Sequence, residues 1–172
     1  MKQLNNLVVD FFNETGYKHE YLEGTYYWYR ARFNGETCDN TLYVGVDESI
    51  EMLKVFVVMD QKVPEAKRLI VSEFLTRLNY RLLCGSLQLD FSDGEVRMVY
   101  NVDTSICEIT TASINQIVKL VLYQLDLYSV QVMRIVYGDI SAEAAWLRAM
   151  ATNSSPSPSS TTTDDTSSKP LQ

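Results

Sequence analysis

The chain has 172 residues, 46% of them hydrophobic and 22% charged, with a formal net charge of −7. That length suits one domain with a real core, and the composition is that of a soluble globular protein. An acidic surface repels phosphate backbones, which argues against nucleic acid as a partner. No apolar run reaches the roughly 18–20 residues that a membrane span needs.

Leu4, Leu7, Val8, Phe11 and Phe12 recur at helical spacing and predict a first helix over about residues 2–14, ended by Gly16. This start lacks the unbroken apolar core and small-residue cleavage site of a signal peptide, so a cytoplasmic location is expected. His19, the only histidine, falls in the polar stretch "GYKHEYLEG", which reads as a turn with no nucleophile nearby. Three strands should follow: "TYYWYRARF" (25–33), "NTLYVGVD" (40–47) and "EMLKVFVVM" (51–59). On the first of them Tyr26, Trp28 and Arg30 share one face, while Tyr27 and Tyr29 share the other. Aromatic residues and arginine are enriched where proteins meet. Tyr27, Trp28 and Tyr29 are therefore candidate partner-binding residues, against the simpler reading of burial on both faces.

Pro64 suits the first turn of a helix that continues through Ala66, Leu69, Ile70, Phe74, Leu75 and Leu78 to a stop at Asn79. Beyond it, "CGSLQLDFSDGEVRMVY" alternates, turns on Asp93-Gly94 and alternates back. A two-residue turn there pairs Phe91 with Val96, Leu89 with Met98 and Leu87 with Tyr100, and sets Asp90 opposite Arg97. Ser113 and Gln116 have capping-box spacing and open a long helix closed by Gly138. Its greasy sector is broader than one core requires, so its outer part, Leu120, Tyr123 and Leu127, joins the candidate partner-binding residues. A short helix, "SAEAAWLRAM", follows, and residues 151–172 form a Ser/Thr/Pro-rich tail expected to be disordered.

The sum is an α+β domain over residues 1–150: an antiparallel five-stranded sheet in the order αβββαββα, with helices packed on it. Nothing in the pattern suggests catalysis. Cys38, Cys84 and Cys107 are isolated, and no spacing suits zinc or a phosphate-binding loop. An EF-hand register over "DFSDGE" would need oxygen ligands at Leu89, Phe91 and Tyr100. Asp47, Glu48 and Glu51 read as a solvated turn. No cofactor, metal or catalytic residue is expected.

The run "LNYRLLCGSLQLDFSDGEVRMVY" resembles the YbjN domain, whose relatives have the fold of type III secretion chaperones. Asn79, Gly85, Leu89-Asp90, the Asp93-Gly94 turn, Arg97 and the long helix closing at Gly138 carry the likeness. Leu87 stands where relatives usually have a large aromatic, and Ser129-Val130 stands where a helix-disturbing proline is usual. The resemblance implies a cytosolic homodimer that binds peptide or protein without catalysis. It places the dimer contact on the middle helix and the next strand, at Leu69, Phe74, Leu78, Leu87 and Leu89. The function expected is a chaperone- or adaptor-like module holding a segment of a partner protein. The alternative is a small-molecule sensor with a pocket between the sheet and the last helix, where Gln124, Asp126 and Tyr128 supply polar groups.

Overall fold

The structure, a computed structural model, describes residues 3–24 and 27–153. Helix α1 (Leu4–Thr15) is followed by β1 (Glu20–Leu22), β2 (Tyr27–Phe33), β3 (Asn40–Asp47) and β4 (Met52–Met59). A 3₁₀ turn at Glu65–Lys67 runs into α2 (Arg68–Asn79). Then come β5 (Ser86–Leu89), β6 (Val96–Asp103), α3 (Thr111–Gly138) and α4 (Ala142–Asn153). The strands form one antiparallel sheet in the order β1-β2-β3-β4-β6-β5. The α+β class is as expected, but the sheet has six strands rather than five.

The added strand is β1, inside the stretch that reads as a polar turn. Three residues are too few for alternation to show. What makes them a strand is tertiary pairing: Glu20 lies opposite Arg30 and Leu22 opposite Trp28, with the Arg30–Glu20 ion pair at 2.5 Å. His19 stacks on Phe12 at 4.2 Å between ring centroids while remaining exposed, so its ring caps the packing from outside.

The ribbon also differs from its expected register. Leu89 pairs with Val96, Leu87 with Met98 and Gln88 with Arg97. Phe91 is outside the ladder, and Arg97 Nε donates to Gln88 Oε1 at 3.0 Å rather than meeting Asp90. A two-residue type I′ turn needs positive φ at both central residues, and here only Gly94 has it, at 83°. The loop is longer: Asp90 N–H donates to Glu95 O and Gly94 N–H to Asp90 O, both at 2.8 Å. The Asp90 carboxylate is committed to Ser92, accepting from its N–H at 2.7 Å and its hydroxyl at 2.6 Å. The register moves by two residues, which keeps each side chain on its expected face.

Helix α3 starts ahead of the expected box. Thr110 is its N-cap, accepting from Ser113 N–H at 3.1 Å. Helix α4 continues past residue 150 to Asn153, and the tail expectation otherwise concerns residues outside those described.

Alternation along β4 divides the sheet. Leu53, Val55, Val57 and Met59 are buried, while Met52, Lys54, Phe56 and Val58 are half-buried on the other side. Among the described residues the helices pack on the first face: α3 lies over β3, β4 and β6, α1 over β3, and α2 over β5. Helix α4 packs on α2 and α3 through the buried Ala142, Ala145 and Ala149. Phe11, Phe12, Phe74, Leu78, Ile114 and Leu125 are fully enclosed between the layers, each side chain contributing about 1.5–3 kcal/mol. Among the described residues no helix is long and apolar enough to cross a membrane.

Candidate functional site

Among the described residues no helix packs on the second face of the sheet, and its rows follow from the register. One row runs Leu22–Trp28–Gly45–Lys54–Asn101. The next is Glu20–Arg30–Tyr43–Phe56–Val99–Ser86, and the third is Arg32–Thr41–Val58–Arg97–Gln88. Trp28 meets Phe56 edge-on at 5.4 Å, Tyr43 stacks on Phe56 at 4.9 Å, and the Arg97 guanidinium lies 5.4 Å over the Phe56 ring. The result is a contiguous aromatic cluster across β2, β3 and β4, edged by a cation.

Gly45 makes the cluster possible. A Cβ at this position would fall 2.5 Å from Trp28 Cε3 and 2.6 Å from Cη2, so the indole lies flat on the bare backbone of β3. Gly45→Ala is expected to lift the ring into solvent while leaving the opposite, core face unchanged. Tryptophan fluorescence should shift to the red, with a stability loss of about 1 kcal/mol or less.

Arg30 and Arg32 reach this face from β2, Lys54 from β4 and Arg97 from β6, so no single basic run announces the set. The Arg30 hydrogen bond holds the Glu20 carboxyl below its ordinary range. Lys54 sits 3.4 Å from Asp47, whose carboxyl is lowered first by the Ser49 hydroxyl. The paired row with Arg32 and Arg97 has no carboxylate of its own, though its Thr41 donates to Asp60 Oδ1 at 2.8 Å, and a fourth row, Asp47–Met52–Asp103, carries two. At the β5 end, Ser86, Gln88, Val99 and Asn101 line a depression of about 380 Å³, and Leu83 at its rim is 99% exposed.

The expected site residues divide by parity. Trp28 lies on the open face and Tyr27 is exposed, but Tyr29 is buried at 5% exposure, donating from its hydroxyl to Asn5 Oδ1 at 2.8 Å. Tyr29 is therefore core and not contact surface. On α3, Tyr123 is exposed and Leu120 half-buried, while Leu127 packs against the core. Of the residues assigned to a dimer contact, Phe74, Leu78 and Leu87 are enclosed in their own subunit; Leu69 is exposed and Leu89 half-buried.

The sensor alternative needs a pocket beside Gln124, Asp126 and Tyr128, yet the larger cleft lies elsewhere. It has a volume of about 570 Å³ between α1, the β3–β4 turn and the loop before α3, with Leu4, Leu7, Glu48, Glu51, Cys107 and Ile109 in its lining. Asp126 instead accepts from Glu36 N–H at 2.9 Å, and Tyr128 is buried. Among the described residues no cluster of His, Cys, Asp or Glu is placed to hold a metal.

The family model YbjN, described as "Putative bacterial sensory transduction regulator", matches residues 7–129. The chain belongs to the YbjN family. The crystal structure of YbjN from E. coli, described as "a putative transcription regulator", superposes with a TM-score of 0.55 at 9% identity. The match covers 87% of this chain and 92% of that one, and at such identity it speaks for the fold alone. No curated protein matches the chain. The YbjN match spans the whole sheet, so the open face belongs to the family portion, whereas α4 lies beyond it.

The thiols also separate. Burial pushes Cys38 up to about 11, with the Asp126, Asp60 and Asp39 carboxylates adding to the effect, whereas Cys84 and Cys107 are exposed. Only the thiolate is alkylated. Iodoacetamide at pH 8 should therefore modify Cys84 and Cys107 in the folded protein and spare Cys38 until denaturant is added, as peptide mass spectrometry would show.

Proposed function

We propose that this YbjN-family chain is a non-catalytic regulator or adaptor that works by holding a segment of a partner protein, as a homodimer. The observation that carries this reading is the Trp28–Tyr43–Phe56 cluster on a sheet face that no helix covers among the described residues. A sheet that needs only one core does not need aromatic rings gathered on its wet side, and such rings are the residues that dominate protein contacts. The family description as a sensory transduction regulator is compatible with a protein that acts through another.

The test uses the full chain as bait in native lysate, beside Trp28→Ala. A partner identified by mass spectrometry should be retained by the first and lost from the second, and purified partner should reproduce the difference. An unchanged partner set with both baits would count against the reading. Light scattering with Leu69→Glu tests the dimer, since Leu69 is exposed on α2: a monomer in both proteins would remove that part.

The sensor reading retains one support, the cleft beside α1, whose volume falls in the range of small-ligand sites. A thermal-shift screen with organic amines would favour it if a stabilising ligand were lost in Glu51→Gln.

A further inference from the structure

We infer that the open sheet face takes an acidic polypeptide segment with an aromatic or aliphatic anchor. The anchor would rest on the Trp28–Phe56 cluster, and its neighbouring carboxylates on Arg32 and Arg97. This rests on the protein-binding reading above and names the chemistry of the partner.

Charge is the first argument. The chain carries −7 overall, yet on this face Arg30, Arg32, Lys54 and Arg97 stand beside Glu20, Asp47 and Asp103 in the paired rows, with Asp60 held by Thr41 at the margin, so the face is far less acidic than the chain as a whole. Arg30 and Lys54 are answered by Glu20 and Asp47. Among the described residues Arg97 makes its hydrogen bond and its ring contact with neutral groups, Gln88 and Phe56, with the Asp90 carboxylate felt at longer range, and Arg32, which feels Glu20 in the same weaker way, is exposed in the same row. A guanidinium over an aromatic face is held by the ring quadrupole and keeps N–H donors free for a carboxylate fork. The second argument is spacing. Successive residues on one face of a strand are about 7 Å apart, so Arg97 and Phe56 are one row from each other. From β2 to β5 the face is about 19 Å wide, the length of roughly six extended residues. The depression lies at the far end of that path; Ser86, Gln88 and Asn101 make its lining mostly polar, with the exposed Leu83 at its rim.

Edge pairing is a poorer route on the β5 side. Asn79 already bonds both outward backbone groups of Leu87, at 2.8 Å each. At that end of the sheet the side chains of the face are thus the available means of grip. Nucleic acid would also suit aromatics with arginine, but the acidic remainder of the chain opposes it.

The test is fluorescence anisotropy with three labelled probes of about ten units: a peptide alternating Asp with Phe and Leu, its counterpart with Lys for Asp, and oligothymidylate. The acidic peptide should bind at least tenfold more tightly than the others, and its affinity should fall as salt rises. Arg32→Glu and Arg97→Glu should each weaken it about tenfold, whereas Lys119→Glu, exposed on α3, should leave it unchanged. Circular dichroism establishes that the variants fold, and Arg32→Glu, at an exposed position, decides if Arg97→Glu does not. Equal binding of the Lys peptide, indifference to both reversals, or preference for oligothymidylate would overturn the inference. A native partner lost from Trp28→Ala but indifferent to Arg32→Glu would sink the charge chemistry alone and leave the binding function standing. A partner set unchanged in Trp28→Ala would sink both.

Discussion

Gly94→Ala is expected to destabilise the protein by about 3–5 kcal/mol. Two costs combine at this position. The residue sits at φ 83°, where an L side chain is strained, and an added Cβ would run into the Val63 carbonyl oxygen, with Val63 N and C each at 3.0 Å. The obstacle is backbone, so no rotamer change relieves it. Relief requires the loop to lift away, and that breaks the Val63 N–H to Gly94 O bond of 2.8 Å. Neighbouring links to the same connection would loosen with it: Arg68 Nη1 to Phe91 O at 2.7 Å and the Lys62–Asp93 pair. Urea unfolding should show a lower midpoint with an unchanged slope. Phe91→Ala, in the same loop and half-exposed, should cost less than about 1 kcal/mol. Equal losses in the two variants would mean that docking on Val63 is not what the glycine serves.

What could be read from the chain alone follows the range of the interaction involved. Helices α1, α2 and α3 and strands β2, β3 and β4 are long enough for periodicity to reveal them, and it also picks out the core faces of α1, α3 and β3; it leaves open which face of β2 is buried, and on α2 it includes the exposed Leu69 and omits the buried Val71. Alternation survives a two-residue error of register. The ribbon shows this directly: a two-residue displacement changed every partner yet left Leu87, Leu89, Val96 and Met98 on the helix side. Strand β1 was invisible because pairing with β2, and not its own pattern, makes it a strand. The "DG" signal was sound as a turn but ambiguous in length, since Asp90 hydrogen bonding to Ser92 competes with continuation of the ladder.

The candidate site was legible only in part. Trp28 was picked out by type, but Tyr29 next to it was included although the opposite face of the same strand is core. Phe56 and Tyr43 are unremarkable in their own segments and Arg97 stands out there only as a strand partner of Asp90, so it is the strand order that brings the three together. A signal for them did exist in Gly45. A glycine amid the apolar alternation of "NTLYVGVD" marks a close approach by something large, and that something is the indole.

Asn79→Leu should cost about 2–4 kcal/mol and lower the melting temperature by on the order of 10 °C. Asn79 is the last residue of α2, and its amide acts as a further strand beside β5: Nδ2 donates to Leu87 O, and Oδ1 accepts from Leu87 N–H, each at 2.8 Å. Leu87 is 3% exposed, so water cannot readily replace either bond once the amide is gone. Leucine has similar volume, which separates the polar loss from a cavity. The variant should also self-associate, because a bare edge strand offers unpaired groups to another chain. Asn79→Asp distinguishes the two bonds. The carboxylate still accepts from Leu87 N–H but faces the Leu87 carbonyl, so its folded-state pKa should rise above the unfolded value of about 3.9. A raised carboxyl pKa means that the folded protein binds the proton more tightly. Stability relative to the parent is therefore lowest above that pKa and recovers as pH falls through it, because the acid form can donate. Parallel thermal melts from pH 7 to pH 4 should show the gap between Asn79→Asp and the parent narrowing, and the gap for Asn79→Leu constant. A gap that widened towards acid, or parent-like stability of Asn79→Leu at neutral pH, would mean that the edge of β5 is closed by something other than this side chain.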